Sequence, residues 1–168
     1  QPEQWHPEVD TGLHTLLSLR QACQLSPDPA VRFATLMHDL GKGLTPESDW
    51  PKHIAHEQRG IRPIMDVCQR LRVPVEFADL ARLASQFHTH CHQMQVLKPA
   101  TVLKTLEGLD AFRRPERLKK FLLVCEADAR GRTGLEDRPY PQAEMLQQCA
   151  DAARQIDVPT LLQENPVD

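Results

Sequence analysis

A histidine directly followed by an aspartate, His38-Asp39, closes an apolar stretch just ahead of the turn Gly41-Lys42-Gly43. An imidazole nitrogen and a carboxylate oxygen side by side make a mixed donor pair suited to a divalent ion. Helical neighbours diverge by about 100°, so the pair would grip an ion at a helix edge and need further ligands from other helices. The chain has eight histidines, and six of them fall near expected helix ends. His14, His38-Asp39 and a late helical acid give the order H…HD…D. Asp110 is the preferred last ligand, with Glu107 and then Asp128 in Cys125-Glu126-Ala127-Asp128 as alternatives. The dipeptide alone is weak, because a single histidine on an apolar helix is more often a hydrogen-bonded core residue.

The elements that must position these residues read as helices. In 11–24, Leu13, Leu16, Leu17 and Ala22-Cys23 recur at spacings of three to four, which predicts one buried face with His14 beside it. Asp28 suits a helix cap and Pro29 a first helical turn. Residues 30–40, with Val31, Phe33, Ala34, Leu36, Met37 and Leu40, are apolar on nearly all sides and predict a buried helix. Two glycines and two prolines in 41–52 predict a loop over the mouth of the site. Helical periodicity resumes in 54–71, bent near Gly60 and Pro63, and in 76–88, which runs into His88-Thr89-His90-Cys91-His92. Three further helices are expected at 101–112, 116–130 and 142–156. No stretch alternates with period two, so the fold class is all-α with roughly seven helices.

A 168-residue chain with 40% hydrophobic content suits one main domain. The expected division is a linker at 1–10, a domain at 11–112 and a helical extension packed on it at 113–168. No run approaches the ~18 apolar residues of a membrane span. Five cysteines without a CxxC pair suit reduced thiols and a cytoplasmic setting. The net charge of −3 gives no general pull toward nucleic acid. A local run does stand out: Arg113, Arg114, Arg117, Lys119 and Lys120, opposed only by Glu116, could carry an RNA backbone.

The string His38-Asp39-Leu40-Gly41-Lys42 resembles the signature of the HD-domain metal-dependent phosphohydrolases. Three longer strings, 6–15, 38–46 and 50–57, resemble the C-terminal HD portion of the bacterial CCA-adding enzymes. The resemblance implies an all-helical HD domain with 2′,3′-cyclic phosphodiesterase, 2′-nucleotidase and phosphatase activities. It implies a divalent ion, nickel before magnesium, manganese or cobalt, and an upstream nucleotidyltransferase domain as partner. Small cyclic nucleotides and a tRNA or RNA 3′ end would be the substrates. The family's pattern falls on His14, His38, Asp39 and Asp110, although Gly108-Leu109-Asp110-Ala111 lacks the usual Ala-Asp pair. His38, Asp39 and Lys42 would serve catalysis, with Lys42 and Arg59 within reach of phosphate. His56, His88 and His90 would bind a second metal or phosphate. His53 is expected on a loop surface, and His6 and His92 have no assigned role. The competing reading is a non-catalytic module that holds tRNA for the upstream domain.

Overall fold

The computed structural model describes residues 7–157. His6 and most of the expected linker, together with residues 158–168 of the expected extension, lie outside the described residues.

Helix α1 (Thr11–Leu25) starts where Asp10 accepts a hydrogen bond from the Leu13 amide, and α2 (Pro29–Met37) where Asp28 accepts from the Ala30 amide with Pro29 in the first turn. The chain then tightens into 3₁₀ turns at Leu40–Leu44 and Glu47–Asp49. Next come a single turn, α3 (His56–Arg59), and the longer α4 (Ile61–Leu71), α5 (Val75–His92), α6 (Pro99–Gly108), α7 (Pro115–Arg130) and α8 (Pro141–Arg154). The described residues contain no strand, and the fold is all-α. The bend expected near Gly60 is a full break between α3 and α4. No helix among them is long and apolar enough to cross a membrane.

Helices α5 and α7 form the centre, with α1 and α2 packed across them. Their core is built from Leu80, Leu83, Leu118, Phe121 and Val124, extended by Ile64, Leu106, Leu109 and Leu146 from the neighbouring helices. The segment after residue 112 thus contributes the helix on which α1, α2 and α5 all pack.

Two faces differ from the pattern expected of them. Helix α1 buries His14, Ser18, Gln21 and Ala22, while Leu13 and Leu16 are 46% and 63% exposed. Helix α2 buries Ala30, Val31, Ala34 and Thr35, whereas Leu36 and Leu40 stand at the surface. Small side chains win the inner positions because they let α2 lie close against α5, whose own buried residues include Ala78, Ala81 and Ala84, and the large apolar ones are displaced outward.

Close approach also explains two glycines. A Cβ on Gly41 would stand 2.0 Å from the His56 carbonyl oxygen and 2.6 Å from the Gly60 nitrogen, and one on Gly131 would stand 2.5 Å from Ser18 Cα. Both clashes are with backbone, so relief requires helices to move apart. Gly41→Ala and Gly131→Ala should each destabilise the domain by about 1–3 kcal/mol. Gly43→Ala, which meets nothing within 4 Å, should stay within about 0.5 kcal/mol of wild type in urea unfolding.

Candidate metal centre

Five helical segments converge on two buried carboxylates, Asp39 and Asp128, which are 3% and 2% exposed. His14 comes from α1, His38-Asp39 from the end of α2, His56 from α3, His88 and His92 from α5, and Asp128 from the last turn of α7. His14 Nε2 lies 3.0 Å from Asp128 Oδ1 and 3.7 Å from Asp39 Oδ2. His38 Nε2 lies 3.4 Å from Asp39 Oδ2 and 3.5 Å from Asp128 Oδ2. His56 Nε2 and His88 Nε2 approach Asp39 Oδ1 at 3.3 and 3.6 Å and each other at 3.3 Å.

The opposite ring nitrogens fix the tautomers. Nδ1 of His38 is 2.7 Å from the Thr35 carbonyl, that of His56 3.0 Å from the His53 carbonyl, and that of His88 2.9 Å from the Ala84 carbonyl. His14 Nδ1 meets the Gly131 carbonyl at 3.2 Å and Glu8 Oε1 at 2.9 Å. A carbonyl or carboxylate only accepts, so each Nδ1 carries the proton and each Nε2 is turned inward as a ligand atom, the arrangement that orients metal-binding histidines.

Burial penalises charge throughout, yet His38 and Lys42 hold Asp39 well below the usual carboxylate range, and His38 and His92 do the same for Asp128. At His38 burial works downward, and the two carboxylates outweigh it, raising the ring to about 10. His14 is likewise raised, with Asp128 and Glu8 overcoming burial. At His88 burial prevails and pushes the ring down to about 3, so it stays neutral. His38 Nε2 and Asp39 Oδ1 are buried without a hydrogen-bond partner, a costly condition for atoms of this kind. Nε2 of His56 and of the neutral His88 face each other at 3.3 Å. A divalent cation fits this centre. The donors form three overlapping groups: His14, His38, Asp39; His38, His88, Asp128; and Asp39, His56, His88.

Several residues singled out in the sequence stand elsewhere than expected. Asp110 turns outward, where it accepts from Arg113 Nε at 2.6 Å and pairs with Arg114 at 3.4 Å, and Glu107 is exposed. Asp128 occupies the place expected for Asp110. Two signals pointed to it, the pair Ala127-Asp128 and a carboxylate on the stripe Phe121, Cys125, Asp128 of a core helix. His90 binds Thr105 Oγ1 at 2.9 Å, since two residues along a helix turn it about 200° away from His88. His92, one turn after His88, instead reaches Asp128 Oδ2 at 2.6 Å and the Tyr140 hydroxyl at 2.7 Å. His53 is buried rather than on a surface. Lys42 Nζ is 2.6 Å from Asp39 Oδ2, and Arg59 lies 3.9 Å from Asp49.

The basic run occupies the first turns of α7, with Arg114 ~20 Å along the axis from Asp128. Its charges are engaged: Arg113 and Arg114 with Asp110, Arg117 with Asp79, Lys119 with Glu116 and Lys120 with Asp28. Above the metal centre opens a different cleft of about 840 Å³, lined in part by Lys42, Lys52, His53, His56, His92, Arg132, Arg138 and Tyr140.

The model of the HD domain family matches residues 11–152. The chain belongs to the HD-domain family. That HD match spans α1 through most of α8 and includes Asp128, and it carries the expectation of a divalent metal onto the centre described above. Proteins named Multifunctional CCA protein match over most of the chain: that of Alcanivorax borkumensis is 58% identical over 161 residues, 96% of this chain and 39% of its own length. Those of Teredinibacter turnerae and Thioalkalivibrio sulfidiphilus are 54% and 57% identical, covering 94% and 87% of this chain. The HD chain spans about two fifths of the length of these relatives. No solved structure matches it.

Two measurements test the centre. Asp128→Asn should lose bound divalent ion after dialysis while Asp110→Asn keeps it, as read by metal analysis. Proton and metal compete for His38 Nε2, so metal affinity should rise as pH increases toward about 10. In chelator-treated protein the raised pKa of His38 stabilises the fold fully below about 6.5, its ordinary value, and that stabilisation is lost as pH rises through about 10. Relative to His38→Gln, metal-free wild type should therefore lose stability between those two values in urea titrations.

Proposed function

We propose that this chain is a metal-dependent phosphohydrolase that acts on 2′,3′-cyclic nucleotides, 2′-nucleotides and other phosphate esters, as the HD part of a protein that works on tRNA 3′ ends. The observation that carries this reading is the buried four-histidine, two-aspartate donor set with an unpartnered Nε2, opening onto a cleft rich in cations. The names of the relatives, Multifunctional CCA protein, support the tRNA setting and a nucleotidyltransferase domain as neighbour in the longer protein.

Phosphate-ester hydrolysis needs an acidified water and neutralised phosphoryl oxygens, and a bound divalent ion supplies both. His14, His38, Asp39 and Asp128 would hold it, with His56 and His88 completing the donor set around Asp39. Four imidazoles beside two carboxylates favour a nitrogen-preferring ion such as nickel or cobalt over magnesium, which prefers oxygen. Lys42 borders Asp39 and also lines the cleft, so its ammonium can face a phosphoryl oxygen. His92 donates its Nε2 proton to Asp128 and keeps that carboxylate turned toward His14 and His38.

The test is hydrolysis of 2′,3′-cyclic AMP by protein stripped with a chelator and reloaded with nickel, cobalt, manganese or magnesium. Nickel or cobalt should restore the highest rate. His38→Ala and Asp39→Ala should lose more than the roughly 10–100-fold that removal of an outer partner costs. No hydrolysis with any ion, alongside retained RNA binding, would replace the enzyme reading by a tRNA-holding module.

A further inference from the structure

We propose that the cleft above the centre is built for the end of an RNA strand rather than a lone nucleotide, with Lys52, Arg132 and Arg138 gripping the phosphodiester that precedes the terminal nucleotide. The proposal rests on the phosphohydrolase reading for what happens at the metal, and on the cleft itself for what is bound.

The chain as a whole is acidic, with 23 Asp and Glu against 20 Lys and Arg. The cleft wall reverses this balance: two lysines, two arginines and three histidines line it, and no Asp or Glu does. Glu136 and Asp137, in the same loop as Arg132 and Arg138, are exposed and lie outside the lining. The loop is shaped by two successive turns, Leu135 N to the Arg132 carbonyl and Arg138 N to the Leu135 carbonyl, which return both arginines to one wall. Arg132 sits at the border with the centre, its Nη2 4.0 Å from Asp128 Oδ1 and its buried Nε without a partner. Lys52 and Arg138 are exposed farther out on the lining.

A mononucleotide carries its phosphate to the metal and leaves the outer cations with nothing to bind. A strand brings a second phosphate one nucleotide away. At about 840 Å³ the cleft is near the upper end of the ~300–1,000 Å³ that encloses one small ligand. Tyr140 adds an aromatic wall to the cleft, its hydroxyl held by His92 and Cys91, and an aromatic side chain in such a place is suited to stacking on a base. The basic run at the start of α7 borders only a smaller cleft of about 220 Å³, which it shares with Glu76 and Glu116. Its cations are ion-paired, and it lies at the far end of the helix from Asp128.

The experiment is fluorescence anisotropy of a labelled five-nucleotide RNA ending in a 2′-phosphate, titrated with this 168-residue chain over a range of salt. The double reversal K52E/R138E should weaken binding on the order of tenfold, and reduce the slope of log affinity against log salt by about 0.7, the loss of one single-strand phosphate contact. Competition by 2′-AMP should suffer less. The reversal R114E/R117E should leave strand affinity and slope unchanged. The assignment is overturned by wild-type affinity in K52E/R138E, by equal losses on strand and mononucleotide, by loss of metal from that variant, or by a loss that follows R114E/R117E instead. Wild type that binds the strand but hydrolyses nothing would sink the phosphohydrolase reading and leave the strand site standing.

Discussion

Two carboxylates closed off from water at the meeting point of five helical segments set the terms for the rest of the molecule. Moving an ionised carboxylate into a protein interior costs several kcal/mol unless opposite charge and hydrogen bonds replace water. Asp39 meets that condition with Lys42 at 2.6 Å and the rings of His38, His56 and His88 around it. Asp128 meets it with His14 and His92. The charges are mutually dependent. The imidazolium that burial forbids at His88 is sustained at His38 only because both carboxylates face it. A divalent ion bound at such a centre would compete with protons for the same ring nitrogens.

Bringing that many polar groups together constrains the packing around them. Ala30, Ala34 and Thr35 of α2 and Ala81 and Ala84 of α5 are buried where the two helices pack, Ser85 lies against Gly60, and Gly131 lies against Ser18 of α1. Bulkier residues at these positions would hold His38 away from His88 and His14 away from Asp128. The cost appears on the outside, where Val9, Leu13 and Leu16 are exposed along α1 and its start. Hydrophobic burial is concentrated instead where no ligand has to be placed, around Phe121, Leu118, Leu83 and Leu106.

This division explains what the sequence disclosed. Helix α1 was legible from 11 to 24 and observed as Thr11–Leu25, and α7 from 116 to 130 and observed as Pro115–Arg130, because the 3.6-residue repeat survives even when the wrong face is assigned to the core. The face of α1 was misjudged because a leucine count outweighs one histidine in any hydropathy argument, whereas in the fold the desolvated charge at Asp128 outweighs the leucines. Within the histidine cluster, spacing was the usable information. His88 and His92 share a face at i and i+4, and His90 does not, which separates His88, beside His56, from His90, beside Thr105. Asp110 was chosen by its distance along the chain, which says nothing about which side of a turn a carboxylate takes. Its positive φ of 55° turns it into a local ion pair with Arg113.

His92 marks where the centre ends and the cleft begins. Each of the other four rings has Nδ1 against a backbone carbonyl, so its Nε2 is free of any proton once the ring is neutral. His92 has no such carbonyl; its Nδ1 meets the Tyr140 hydroxyl, which can donate to it. Asp128 Oδ2 only accepts, so the proton between them sits on His92 Nε2, and both ring nitrogens of His92 have partners without a metal. The same bond occupies one oxygen of Asp128 and leaves Oδ1, beside His14, as the oxygen with capacity to spare. Tyr140 is thereby tied to the ligand set through a single imidazole.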